Sequence, residues 1–130
     1  MVGIVIVSHS NFIAKGVREV ALQMAPEVSI VDAGGTSDGR IGTDISKITS
    51  AIESVYSDNG VLVLFDLGSA FMNTEMAIEF LDDNIRENVE IIDAPLVEGA
   101  ITAAVEASMD KSLSEIKEVL KPMSLNKLKT

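Results

Sequence analysis

Four short apolar runs alternate along the chain with longer segments of helical periodicity, and this alternation constrains the fold more than any other feature. The runs are residues 2–7, 28–31, 61–65 and 89–92. Their apolar residues are nearly continuous rather than alternating, which is typical of strands that are covered on both faces. A repeated strand–helix pattern predicts a parallel sheet with right-handed crossovers and helices on both faces.

The segments that follow the runs predict five helices, the first four with an apolar stripe. Ser10 and Ser69 are predicted N-caps, Thr43 or Asp44 begins the second helix, and Ser112 and Glu115 fit a capping box. The residues that the spacing assigns to the core in the first four helices are Ile13, Val17, Val20, Ala21, Met24, Ile45, Ile48, Ile52, Val55, Met72, Met76, Phe80, Leu81, Val97, Ala100, Ile101, Ala104 and Val105.

Composition narrows the functional classes. The 130 residues suggest one domain, and no apolar run approaches the roughly 20 residues of a membrane span. The N-terminus lacks a signal-peptide pattern, so we expect a cytoplasmic protein that does not enter the membrane. With no cysteine and one histidine, we expect no metal site and no bound cofactor.

The charge distribution is uneven. Residues 1–110 contain 18 acidic and 5 basic side chains, whereas residues 111–130 contain 2 acidic and 5 basic ones. The acidic body argues against nucleic-acid binding, which depends on cationic contacts to phosphate. It would attract a basic partner, although solubility alone would also account for it.

The only histidine, His9, lies between the first predicted strand and the first predicted helix. Ligands of open α/β sheets bind at the carboxyl ends of the strands, which is where this residue falls. A neutral imidazole is also a nucleophile near neutral pH. We therefore interpret His9 as the carrier of a phosphoryl group, with a polar residue that merely ends a strand as the alternative.

Other residues predicted at the same edge suit an anion. Asp66 could accept a hydrogen bond from the second ring nitrogen of His9, or it could be an acid that stabilises a helix start. Asp32 and Asp93 also follow strands and are interpreted as caps. Helix N-termini and a glycine-rich loop at residues 34–43 can bind phosphate through backbone N–H groups. The predicted supporting residues are Ser10, Gly35, Thr36, Gly42, Thr43, Gly68 and Ser69.

Neither a P-loop nor a dinucleotide-binding GxGxxG motif is present, so nucleotide binding by this chain alone is not predicted. Four segments instead resemble the DhaM family, the phosphotransfer subunits of phosphoenolpyruvate-dependent dihydroxyacetone kinases. These are VIVSHS at 5–10, IGTD at 41–44, FDLGSA at 65–70 and APLVEG at 94–99. The resemblance covers about residues 1–110, and the family fold is similar to mannose-type enzyme IIA domains.

The resemblance implies a single-domain α/β three-layer sandwich. Its central, mainly parallel four-stranded sheet has the order 2-1-3-4, with helices on both faces. Because Pro122 ends the fifth predicted helix, we expect residues 1–120 to form the domain and residues 121–130 to form a C-terminal tail, mobile or dependent on a partner.

The resemblance also implies a phosphotransferase mechanism. The carrier protein HPr would donate a phosphoryl group to His9, expected at Nε2, with Asp66 beside the ring. The phosphohistidine would then phosphorylate ADP held on the DhaL subunit, and DhaL would phosphorylate dihydroxyacetone bound to DhaK. A homodimer is expected. Because the chain stops at Thr130, where some family members continue into HPr-like domains, we expect a separate phosphoryl donor.

Two alternatives stay open. A mannose-type enzyme IIA would feed a sugar permease, but such domains commonly read Ser-His-Gly and Gly-Gly-Ser-Pro where this chain has Ser-His-Ser and Gly68-Ser69-Ala70. A flavodoxin-like or receiver-like binding module would need acidic residues after the first strand, where Ser8-His9-Ser10 occurs instead.

Overall fold

A computed structural model describes residues 1–129 of the chain. Its centre is a sheet of four parallel strands, β1 (Gly3–Ser8), β2 (Ile30–Gly34), β3 (Val61–Phe65) and β4 (Val89–Ile92), in the order β2-β1-β3-β4. The predicted parallel sheet and its strand order are confirmed. The inner strands β1 and β3 are buried along their whole length, as their continuous apolar sequences predict.

Helices cover both faces of the sheet. The chain forms α1 (Asn11–Met24), α2 (Ile45–Val55), α3 (Gly68–Glu79), the single turn α4 (Asp83–Arg86), α5 (Leu96–Ser108) and α6 (Leu113–Leu120). Two 3-10 turns follow at Lys121–Met123 and Lys127–Lys129. The four-residue α4 is too short to show a periodicity and was not predicted.

Alternate side chains of β1 divide between two apolar clusters. Ile4 and Ile6 pack with α1, α5 and α6, whereas Val5 and Val7 pack with α2 and α3. Burying each such side chain contributes about 1.5 to 3 kcal/mol to folding. The predicted three-layer sandwich is therefore confirmed.

The predicted core stripe of the third helix is wrong at three of its four residues, whereas the fourth, Leu81, is 4% exposed and buried as predicted. Met72, Met76 and Phe80 are 64%, 52% and 74% exposed, and the helix buries Ala70, Thr74 and Ala77 instead. Both faces of this helix contain apolar residues, and the small side chains are the ones that pack against the sheet and α2. α1 behaves in the same way.

In α1, the predicted core residues Ile13, Val20 and Met24 are exposed, and Ala14 is buried in their place, beside the correctly predicted Val17 and Ala21. In α5, Val97 is exposed and the buried face is made of glycine and alanine.

The second strand starts later than predicted, and Asp32 is not at its end. Asp32 pairs in register with Ile6, two residues before β2 finishes at Gly34. β2 is an outer strand of the sheet, so a polar side chain can stay near water there. The Asp32 carboxylate lies 3.8 Å from Nε of Arg18.

The C-terminal region begins as predicted and continues into further contacts. Ser112 and Glu115 form the capping box of α6, and the helix ends at Leu120, before Pro122. Beyond it, Ser124 and Lys127 contact Asp93 at the end of β4. The division into residues 1–120 and a tail at 121–130 stays a prediction, and Thr130 lies outside the described residues. Among residues 1–129, the helices are all too short or too polar to cross a bilayer.

Candidate active site

His9 follows the last residue of β1 and lies just before α1, with its ring held at both nitrogens. Nδ1 lies 3.0 Å from Oδ1 of Asp66, at the end of β3, and Nε2 lies 2.7 Å from Oγ of Ser69, in the first turn of α3. The side chain is 21% exposed. The structure therefore brings together three residues that the sequence places at the same edge of the sheet.

Asp66 accepts hydrogen bonds from four groups. Its Oδ2 accepts from the backbone N–H of His9 and the hydroxyl of Ser8, both at 2.9 Å, and its Oδ1 accepts from the N–H of Leu67 at 2.7 Å and faces the imidazole. Burial acts to raise the pKa of Asp66, but these donors outweigh it and hold the pKa below its ordinary value. An ionised Asp66 places the ring proton on Nδ1 and leaves the lone pair of His9 on Nε2.

Ser69 does not cap α3, contrary to the prediction. The N-cap is Leu67, which makes no side-chain capping hydrogen bond, and Ser69 is the second residue of the helix. Its hydroxyl can donate to Nε2 of His9. Because the first N–H groups of a helix have no intrahelical acceptor, the start of α3 at Gly68 and Ser69 suits an anion.

The glycine-rich loop supports the backbone on which His9 lies. The Gly35 N–H donates to the Ser8 carbonyl at 3.1 Å, and the Gly42 N–H donates to the His9 carbonyl at 2.8 Å. Gly35 has φ +73 and Gly42 has φ +141, which a residue with a Cβ rarely adopts. Both N–H groups thus bond within the chain, and a role for either glycine in binding phosphate stays a prediction.

The remaining predicted residues have defined local partners. Ser10 caps α1 by accepting from the Ile13 N–H, as predicted. The Thr36 hydroxyl donates to Asp38 within the loop. Thr43 bonds the side-chain amide of Asn73, and the cap of α2 is the alternative candidate, Asp44. None of these contacts tests a role in phosphate binding, which stays a prediction.

Two residues at this edge of the sheet were not singled out from the sequence. Ser8 is fully buried, and a polar residue at the end of an otherwise apolar strand was the available signal. Lys127 comes from the tail and donates from Nζ to the carbonyls of Phe65 and Ala94, at 2.6 and 2.9 Å. No sequence pattern connects a lysine in the tail with strands more than 30 residues away.

An open cleft of about 530 Å³ lies at the start of α3 and is lined in part by Ser69, whose hydroxyl contacts Nε2 of the imidazole. Its walls are formed by Leu67, Gly68, Ser69, Phe71, Met72, Lys127 and Leu128. Within residues 1–129, no cluster of histidine and carboxylate side chains is arranged to hold a metal ion. The site thus combines an oriented nucleophile, an uncapped helix start and an accessible cleft.

Sequence comparison identifies relatives over nearly the whole chain. The profile of the PTS system fructose IIA component family (EIIA-man) matches residues 3–117. The phosphoryl donor subunit DhaM of PEP-dependent dihydroxyacetone kinase 2 from Listeria innocua is 41% identical over 121 residues, which are 92% of this chain and 97% of the relative. The phosphotransferase subunit DhaM of the PTS-dependent dihydroxyacetone kinase from Lactococcus lactis is 39% identical over 125 residues, 96% and 98% of the two chains.

Longer relatives and solved structures agree with this. DhaM of PEP-dependent dihydroxyacetone kinase from Escherichia coli is 42% identical over 120 residues, which are 89% of this chain but 25% of that protein. The crystal structure of the unknown function protein EF1359 matches with a TM-score of 0.80 and 38% identity, over 91% of this chain and 92% of that one. A sigma-54 interaction domain protein from Enterococcus faecalis, 18% identical with a TM-score of 0.72 over 93% and 88% of the chains, shows the shared fold alone.

The fold and the sequence matches define the class as the IIA components of the phosphotransferase system. The chain belongs to the PTS system fructose IIA component family and, within it, with the DhaM phosphoryl donor subunits.

Proposed function

We propose that this protein is a phosphohistidine carrier that receives a phosphoryl group from HPr on Nε2 of His9 and passes it to ADP bound on a DhaL subunit. The observation that supports this most strongly is the contact between Nδ1 of His9 and the ionised Asp66, which leaves the lone pair on Nε2, beside the Ser69 hydroxyl that lines the open cleft. The names of the relatives, phosphoryl donor subunits of dihydroxyacetone kinases, supply the acceptor system.

The loading step follows from the protonation state of the ring. The Nε2 lone pair of His9 attacks the phosphorus of the phosphohistidine of HPr, the Nε2–P bond forms and the P–N bond of HPr breaks. Because Nδ1 keeps its proton, the phosphorylated ring becomes cationic. Asp66, 3.0 Å from Nδ1, stabilises that charge and holds the ring in place.

In the unloading step, the cationic phosphorylated ring becomes neutral again. A β-phosphate oxygen of ADP attacks the phosphorus, the Nε2–P bond breaks and the imidazole leaves as a neutral ring with its proton still on Nδ1. Retaining that proton makes the imidazole a better leaving group than a ring that has to leave as an anion. The hydroxyl of Ser69 and the N–H groups at the start of α3 are placed to bond phosphoryl oxygens.

A phosphorylation assay tests the proposal. Incubation with phosphoenolpyruvate, enzyme I and HPr should add the mass of one phosphoryl group, and His9→Ala should abolish the gain. Phosphorus NMR should place the group on Nε2. Labelling that survives His9→Ala would overturn the assignment of the site.

A second assay is needed to identify the phosphoryl acceptor, because the matching family is named for a component of a sugar transport system, the fructose IIA component. Mixing the phosphorylated protein with DhaL–ADP should form ATP, and DhaK with dihydroxyacetone should then consume it. If the phosphoryl group instead passes only to a permease component of the sugar system, the chain is a mannose-type enzyme IIA.

The proposal includes a homodimer and a cytoplasmic location, where phosphoenolpyruvate is available. The exposed Met72, Met76 and Phe80 of α3 provide an apolar face that a second copy could cover. Sedimentation should give a dimer that Met76→Lys weakens; an unchanged dimer would place the interface elsewhere.

A further inference from the structure

Lys127 connects the C-terminal tail with the strand that precedes Asp66. Its Nζ donates to the carbonyl of Phe65, the last residue of β3, at 2.6 Å, and to the carbonyl of Ala94, just past β4, at 2.9 Å. The pairing of β3 with β4 ends at Leu64 and Ile92, one residue before Phe65 and two before Ala94. The ammonium thus bridges two neighbouring strands where their own ladder has stopped.

Several contacts keep the ammonium in this position. The backbone N–H of Lys127 and the hydroxyl of Ser124 both donate to Oδ2 of Asp93, at 2.9 and 3.3 Å. Nζ lies 4.0 Å from Oδ1 of Asp93 and 4.3 Å from the centroid of the Phe65 ring. The side chain is only 14% exposed, so the lysine is packed against the carboxyl-terminal edge of the sheet.

The charge of Lys127 also reaches the active site. Burial lowers the pKa of Lys127 below its ordinary value, while the carboxylates of Asp93 and Asp66 act to raise it. The Asp66 carboxylate therefore lies within the field of the ammonium. Because Phe65 directly precedes Asp66, fixing its carbonyl also restrains the peptide on which the Asp66 side chain is mounted.

We propose that Lys127 is a positioning residue for phosphoryl transfer, which ties the C-terminal tail to the end of β3 and so holds Asp66 against the His9 imidazole. This rests on the proposed function of His9 and adds to it that the tail is part of the working site. Replacing the lysine should leave the His9 nucleophile intact but loosen the geometry of the contact between Asp66 and the imidazole. Small displacements of reacting groups cost large factors in rate.

The test compares Lys127→Met and Lys127→Arg with Lys121→Met, an exposed lysine of the same tail that serves as the matched charge control. Transfer from phosphorylated HPr is measured by rapid quench over a range of HPr concentrations. Lys127→Met should lower the maximal rate about tenfold with little change in the half-saturating HPr concentration. Lys127→Arg should recover part of the rate, and Lys121→Met should match the wild type.

A spectroscopic readout separates positioning from general stability. The Nδ1–H proton of His9, bonded to Asp66, should give a downfield resonance in the wild type that broadens or moves in Lys127→Met and not in Lys121→Met. A wild-type rate and resonance in a folded Lys127→Met variant would overturn the proposal. So would an effect confined to half-saturation, which would make Lys127 a contact for HPr.

The two proposals fail in different ways. If the wild type takes no phosphoryl group, the proposed function fails, yet the resonance still reports whether Lys127 orders the Asp66–His9 pair. If His9 is labelled and Lys127→Met behaves as wild type in both measurements, only the role of Lys127 fails.

Discussion

The carboxyl ends of β3 and β4 each present an aspartate, and the surroundings of the two side chains differ sharply. Asp66 accepts from the backbone of His9 and Leu67 and from the side chain of Ser8, and faces the imidazole. Asp93 accepts from Ser124 and Lys127 of the tail. Its buried Oδ1 has no hydrogen-bond partner among residues 1–129.

The difference shows that a position at the end of a parallel strand does not by itself decide which groups an aspartate side chain contacts. β3 lies beside β1, so its terminal carboxylate meets the histidine at the end of that strand. β4 is an outer strand, so its terminal carboxylate meets the chain segment that returns from α6. The structure thus sets Asp66 against the imidazole and Asp93 against the tail, and the following variants test that contrast.

Removing the Asp66 carboxylate should have the largest effect. Asp66→Ala frees the imidazole to rotate and to change tautomer, so the rate of phosphoryl transfer from HPr should fall about 100-fold or more. Rapid-quench measurement on Asp66→Ala and Asp93→Ala provides the comparison, with Asp93→Ala expected to lose only a few-fold. Equal losses in the two variants would remove the distinction between the two aspartates.

Removing the Ser69 hydroxyl should have the next largest effect. Ser69→Ala deletes the group that lies 2.7 Å from Nε2, and we propose that this group bonds the transferred phosphoryl oxygens. Transfer in both directions should slow about tenfold, less than the loss for a complete oxyanion donor because the helix N–H groups remain. Ser46→Ala, an exposed serine of α2, is the control. A Ser69→Ala variant at full rate would reduce the hydroxyl to a ground-state contact.

Asp93→Ala should affect stability more clearly than chemistry. It removes the acceptor of the Lys127 N–H and the Ser124 hydroxyl, so we expect the free energy of unfolding to fall by about 1 to 2 kcal/mol. Urea denaturation measures this, and limited proteolysis should cut the tail of the variant sooner. Ser124→Ala removes only the longer of the two bonds and should cost less; a larger loss in Ser124→Ala would contradict the anchoring role of Asp93.

The sequence predicted the sheet and the placement of His9 beside Asp66 because those features depend on local patterns. Continuous apolar runs identify β1 and β3, and parallel strands bring their carboxyl ends to one edge. The faces of α1 and α3 could not be predicted in the same way. Large apolar residues occur on both sides of each helix, and close packing against the sheet selects alanines such as Ala14 and Ala77 over the larger residues.

The partners of the predicted site residues depended on contacts far apart in sequence. Ser69 looks like a cap because it is a serine near a helix start, but the imidazole from β1 is its partner. Lys127 is 61 residues beyond Asp66 along the chain, and only the return of the tail across the end of β4 brings it to the site. Such contacts follow from the assembled fold and leave no periodicity in the sequence.

The smallest expected effect is the contribution of the ionised Asp66 to the pH dependence of the free energy of unfolding. Because its pKa in the folded protein is below the ordinary value, the stabilisation from its ionised form is fully present above pH about 4. It is lost as the pH falls through the lowered pKa. Urea unfolding at a series of pH values should therefore show a steeper acid loss in the wild type than in Asp66→Asn. His9→Ala removes one donor to the carboxylate, so its loss of unfolding free energy at acid pH should be intermediate between those of the wild type and Asp66→Asn. A wild-type loss no steeper than that of Asp66→Asn would show that the hydrogen bonds to Asp66 do not favour its ionised form.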